Sequence, residues 1–193
     1  EATRLSRAPV IASHSSTRAL ADHPRNMDDE QLRVLAEHGG VIQVVAFPSY
    51  VKVQPRERGE AIDALRAELG IEGRGALRAL SGERRAEYER RMAEIDERWP
   101  PADVSDFVDH IDHAVEVAGI DHVGISSDFD GGGGVVGWDD ASETFNVTLE
   151  LVRRGYTEAE IAKLWGGNLL RVWREAERVA AELQAAAAPP VAG

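Results

Sequence analysis

Pro9-Val10-Ile11-Ala12-Ser13-His14 is a short apolar run that ends on an imidazole. A run of this length predicts a buried strand that delivers a polar side chain at its C-terminal end. In parallel α/β architectures that end of a strand is where chemistry sits. The pattern then repeats. Asp28 or Asp29 can N-cap a helix through Leu32, Val34 and Leu35, and Gly39-Gly40 stops it before a second run, Val41 to Phe47. A helix from about Ser105 to Ala118 takes its core stripe from Val104, Val108, Ile111, Val115 and Ala118 and stops at Gly119. It leads into a third strand, His122 to Ser126. Strands alternating with helices predict an α/β unit with a parallel sheet.

Between the second strand and that helix, Arg56 to Arg98 is dense in Glu, Arg, Ala and Leu and is broken near Gly70–Gly75 and Ser81-Gly82. This predicts two or three charged amphipathic helices, inserted at about 56–100. After the third strand come Asp128-Phe129-Asp130 and four glycines, Gly131 to Gly134, a loop without the spacing of a dinucleotide fingerprint. Trp138-Asp139-Asp140 is expected to anchor that loop to a helix that resumes near Ser142 and ends at Gly155. Thr157-Glu-Ala-Glu160 reads as a capping box, and Asn168 opens a last helix. A closed eight-stranded barrel takes roughly 250 residues, so three strands form only part of one. The expected fold is a partial TIM-like (β/α) barrel over residues 1–185, with the helical insertion at about 56–100 and a disordered tail over 186–193.

Composition narrows the function. The chain has 193 residues, 43% of them hydrophobic, and a net charge of −12. An acidic surface excludes nucleic acid as a partner, because phosphate binding needs basic groups. No apolar run approaches the ~18 residues of a membrane span. The chain lacks cysteine, so transition-metal ligands must come from His, Asp or Glu, and a reducing cytoplasm is the expected location. The opening residues have neither Met nor a signal pattern, and the start is read as cut.

Three residues stand out. His14, in Ser13-His14-Ser15-Ser16, follows a strand where an imidazole can reach a metal, or can simply hydrogen-bond within a turn. Arg25, in His23-Pro24-Arg25-Asn26, follows a proline that stiffens its loop, and its fork suits a carboxylate. Asp128 lies two residues beyond the third strand and projects toward the same face, or caps a turn. His110 and His113 have chelating spacing, but the helical wheel sets His113 opposite the core stripe and His110 at its flank, which predicts a solvated face. His23, His38 and His122 are read as structural.

Ala8–Ser16, Pro24-Arg25-Asn26, Asp109-His-Ile-Asp-His113, Val117-Ala-Gly-Ile120, Val123-Gly-Ile-Ser-Ser-Asp128-Phe-Asp-Gly131, Arg153–Thr157 and Gly166–Trp173 together resemble the membrane (renal) dipeptidase family, in its bacterial, soluble form. The resemblance runs over nearly the whole chain. It implies a distorted TIM-like barrel with two zinc ions that hydrolyses dipeptides, including those with a C-terminal D-residue. It also implies that His14 is the last zinc ligand, that Arg25 binds the substrate's terminal carboxylate, and that Asp128 sits near its amino group as a catalytic and substrate-binding residue. The family's other ligands belong to a segment before Thr3, so the chain by itself is expected to be inactive. A complementing N-terminal chain or a homodimer are the expected partners besides the dipeptide. Two other functions compete: a related barrel metallohydrolase acting on amides or esters, and a non-catalytic helical binding module built on the insertion.

Overall fold

The structure, a computed structural model, describes residues 2–73 and 75–187. Its elements follow in the order α1 (Ala2–Leu5), β1 (Ile11–Ser15), α2 (Asp29–Glu37), β2 (Val41–Val45), α3 (Pro48–Val51), α4 (Arg56–Glu68), α5 (Ala76–Ala79), α6 (Gly82–Arg98), α7 (Val104–Ala118), β3 (Val123–Ser126), α8 (Thr144–Arg153), α9 (Glu158–Ala162) and α10 (Asn168–Ala187). They divide into two compact units: Glu1–Lys52 with Ala102–Gly193, and Val53–Pro101.

The first unit holds a three-stranded sheet in the order β1-β2-β3, parallel throughout. Ile11 pairs with Val41 and Ser15 with Val44, while Ile42 pairs with Val123 and Val45 with Ser126, so the three C-terminal ends finish level. β2 is central and buried along its whole length. β1 departs from the buried strand its sequence predicts. With a neighbour on one side only among the described residues, it leaves Ile11 37% exposed. The sheet is open over this span, and closure into a barrel is a property these three strands do not display.

Helix ends follow the chemistry of their first residues. The Asp28 side chain accepts from the Gln31 N–H while Gln31 reaches back to the Asp28 N–H, and the same reciprocal box joins Asp103 with Asp106 and Thr157 with Glu160. α2 and α7 lay Leu32, Leu35, Phe107, Val108, Ile111 and Ala114 against Ile42 and Val44 of the sheet. The approach is close. A Cβ on Gly40 would stand 2.5 Å from the Val10 carbonyl oxygen and 2.6 Å from Leu35 Cδ1. At the far end, Asn168 is buried and its amide donates to the carbonyls of Ile120 and Val123 at 2.6 and 2.8 Å, tying α10 to the entry of β3. Arg154 joins α7 to α8 through Asp109, Asp112 and Glu150 at 2.5, 2.7 and 2.9 Å, and its guanidinium is held well above the ordinary range by those carboxylates against the opposing effect of burial.

The second unit packs α4 against α6 around Leu65. Arg58 meets Asp96 at 2.7 Å, and the Arg91 fork meets Glu68 at 3.0 and 3.2 Å. Of the tail, Ala185–Ala187 continue α10, and residues 188–193 lie outside the described residues.

Candidate active site at the strand rim

β1 carries His14 one residue before its end, and the side chain is exposed at the rim. Its Nε2 stands 3.0 Å from Arg25 Nη2 and its Nδ1 2.7 Å from the Ser13 hydroxyl. A guanidinium can only donate, so Nε2 accepts and Nδ1–H donates to Ser13. The two residues that the sequence sets eleven positions apart are therefore in direct contact.

The loop that brings Arg25 back is fixed by short-range backbone and amide bonds. Met27 N–H donates to the Ser16 carbonyl at 2.9 Å and Arg18 N–H to the Met27 carbonyl at 2.8 Å, a parallel bridge between Thr17 and Met27. Asn26, only 2% exposed, fills the loop. Its Oδ1 accepts from the Ser16 N–H at 3.0 Å, and its Nδ2 donates to the carbonyls of Ala21 and Tyr50 at 2.9 and 2.8 Å. Arg25 itself remains exposed, with its N–H on His23 Nδ1 at 3.2 Å and its guanidinium 5.9 Å from the centre of the Tyr50 ring, within cation–π range. Tyr50 also stacks with His23 at 4.4 Å and with Phe47 at 4.6 Å. Phe47 and Tyr50 follow β2, the central strand, so they stand between the exits of β1 and β3, and His23 reaches them from the loop after β1.

Asp128 begins two residues past β3. It is the one non-glycine residue with positive φ among the described residues, at φ 57° and ψ 34°. Its carbonyl accepts from the N–H groups of Gly131 and Gly133 at 2.9 and 2.7 Å, which curls the loop back on itself. The glycines are sterically required here, since a Cβ on Gly133 would stand 1.9 Å from the Ser127 carbonyl oxygen. Gly134 N–H donates to the Ala46 carbonyl at 2.7 Å, and Gly132 lies against Phe47 at 3.6 Å for a Cβ placed there. The Asp128 loop thus abuts the same aromatic cluster that Arg25 approaches from the other side. Trp138, buried, donates to Thr144 Oγ1 at 3.1 Å and packs edge-to-face with Phe129 and Trp165 and at a tilt with Phe107, joining the glycine loop to α8.

His110 corrects the sequence reading of a solvated pair. It is 1% exposed and sits in the core, where it accepts from Thr17 and donates to Val51. The physical reason is a rotated stripe. α7 buries Phe107, Val108, His110, Ile111 and Ala114, while Val104, Val115 and Ala118 are only partly buried. Phe107 was the missing signal, because including it turns the apolar face toward position 110. His113 stays at the edge, 2.8 Å from Asp29. His38 and His122 bond to the carbonyls of Val34 and Gly40, both at 2.8 Å.

The chain matches the model of the family described as membrane dipeptidase (Peptidase family M19) over residues 1–187. It is 35% identical over 186 residues to the dipeptidase ataJ of Aspergillus terreus, covering 96% of this chain and 35% of that protein. To an uncharacterized dipeptidase of Schizosaccharomyces pombe it is 31% identical over 185 residues, covering 95% of this chain and 34% of that one. Among solved structures it is similar to the probable dipeptidase PvdM from Pseudomonas aeruginosa, with 45% identity, a TM-score of 0.70, and coverage of 91% of this chain and 47% of that one. A metallo peptidase from Rhodobacter sphaeroides, solved with a phosphinate mimic of the dipeptide L-Ala-D-Ala, matches at 25% identity and a TM-score of 0.62 over 90% of this chain and 38% of that one. The chain belongs to the M19 family of metallopeptidases. It spans about a third of the length of the curated relatives it matches.

Metal use is implied by that family, generally zinc. Among the described residues, no group of three or more His, Asp or Glu side chains converges to hold an ion. His14 offers a single imidazole, whereas catalytic zinc takes about three protein ligands. The described residues therefore do not make a complete metal site. No helix is long and apolar enough to cross a membrane among the described residues.

Proposed function

We propose that the protein to which this chain belongs is a zinc-dependent dipeptidase, and that the rim formed by β1, β2 and β3 holds the two charged ends of the substrate. Arg25 receives the terminal carboxylate, and Asp128 faces the free amino group. His14 supplies one zinc ligand, the others lie outside these residues, and the chain by itself is inactive. In the complete protein the open sheet is part of a TIM-like barrel.

One observation carries this reading: a guanidinium fork beside His14, above the aromatic turn that separates it from the Asp128 loop. Adjacent strands lie about 4.8 Å apart, so the exits of β1 and β3 are roughly 10 Å apart. A dipeptide is only about 7 Å long. With the Arg25 guanidinium over the Tyr50 ring, in the turn that follows β2, a molecule of that length with opposite charges at its ends suits the space toward the Asp128 loop. A longer peptide leaves one charge unpaired, and pairing both ends orients the scissile bond. The relative solved with an L-Ala-D-Ala mimic supports a dipeptide, and tolerance of a C-terminal D-residue, as the substrate class.

The test is hydrolysis by the full-length, zinc-loaded protein, followed as amine release. L-Ala-D-Ala is expected to be cleaved, and N-acetyl-L-Ala-D-Ala and Ala-Ala-Ala are expected to be poor substrates. Equal cleavage of the acetylated compound, or of a lactone, overturns the dipeptidase reading in favour of a broader barrel hydrolase.

A further inference from the structure

We propose that His110 is a positioning residue for the carboxylate end of the site: its buried imidazole pins the Arg25 loop to the aromatic turn that carries Tyr50. The proposal rests on the dipeptidase reading above.

His110 lies on α7, 93 residues from Thr17 and 59 from Val51, yet it bonds to both. Nδ1 receives the Thr17 backbone N–H at 3.0 Å and the Thr17 hydroxyl at 2.8 Å, and Nε2 lies 2.8 Å from the Val51 carbonyl. A backbone N–H can only donate, so Nδ1 is unprotonated and the ring proton sits on Nε2, where the carbonyl accepts it. The tautomer is thus set by its neighbours, with one acceptor and one donor each in use.

Each partner is a root of the site. Thr17 is the first half of the bridge with Met27 that closes the Arg25 loop. Val51 follows Tyr50 and ends α3. Asn26 already ties the same two segments from the rim side, through Ser16 and Tyr50. His110 ties them from the core side. Between the two ties, the distance from the Arg25 guanidinium to the Tyr50 ring is determined. A residue needed only to fill space would be apolar here, because an unpaired buried amide or carbonyl is costly and a histidine can leave two.

The two ring nitrogens can be mimicked separately. In the full-length protein His110→Asn keeps an acceptor near Thr17, and His110→Gln keeps a donor toward Val51. KM and kcat are measured for L-Ala-D-Ala and for its C-terminal amide, which lacks the charge that Arg25 reads. For His110→Gln the expected result is a KM about tenfold higher for the dipeptide, with kcat within twofold and little change for the amide. His110→Asn, which keeps the Thr17 bond but loses the Val51 bond, is expected to show the same dipeptide-only rise in KM at about threefold, and it carries the test if His110→Gln does not fold. An equal effect on both substrates, or unaltered kinetics in the folded variant, overturns positioning and leaves His110 a packing residue. Arg25→Gln in the same assay separates the two claims. If it too fails to discriminate the substrates, the site reading falls. If it discriminates and the His110 variants do not, only the positioning role falls.

Discussion

Asp128 holds a left-handed backbone that costs an L-residue roughly 1 kcal/mol or more, a cost glycine does not incur. Strain of this kind persists where the surrounding loop over-determines it, and here the two amide bonds to the Asp128 carbonyl do so. Asp128→Gly is therefore expected to be more stable than Asp128→Ala by about 1 kcal/mol in urea unfolding, while neither variant supports hydrolysis in the full-length protein. Equal stability of the two would show that the backbone there is relaxed. His110 makes a second prediction. Burial lowers its pKa from 6.5, against the raising effects of its bond to Val51 and of Asp109 and Asp106. Below about pH 6.5 the unfolded chain takes up a proton that the folded one resists, so stability is complete above that pH and declines as pH falls. The urea midpoint of the wild type should drop through that window, and that of His110→Asn should drop less. Parallel pH profiles would contradict this.

At the scale of elements, the caps were legible: Asp28, Thr157 and the stop at Gly119 act as their residue types predict. The face of α7 was not, because a stripe chosen by aliphatic residues alone passes over Phe107 and rotates His110 outward. Asn168 was legible as a helix start, but its burial beneath β3 was not, since its partners at Ile120 and Val123 are distant in sequence. Asn168→Ala leaves those carbonyls without a donor in the core and is expected to cost about 2 kcal/mol by denaturant titration. An effect below about 0.5 kcal/mol would mean that water replaces the amide. Gly40→Ala tests the seat of α2. Its Cβ would collide with a backbone carbonyl that cannot swing away, and overpacking of this kind costs about 1–3 kcal/mol.

Over the whole molecule, the alternation of strands and helices identified a parallel sheet, and the composition of Arg56 to Arg98 identified a helical segment. What the chain displays is three level strands whose exits collect His14, Arg25 and the Asp128 loop. The aromatic cluster of Phe47, Tyr50 and His23 that lies between them escaped the sequence reading, because these residues follow different strands and share no spacing. The central claim is that Arg25 reads the substrate's terminal carboxylate. A double cycle tests it most directly: kcat/KM of the full-length protein and of its Arg25→Gln variant, each on L-Ala-D-Ala and on the C-terminal amide. A charge-assisted bond contributes about 1.5–3 kcal/mol, so amidation should cost the wild type roughly tenfold or more. The same change should cost Arg25→Gln less than about twofold. An equal penalty in both proteins would contradict the account.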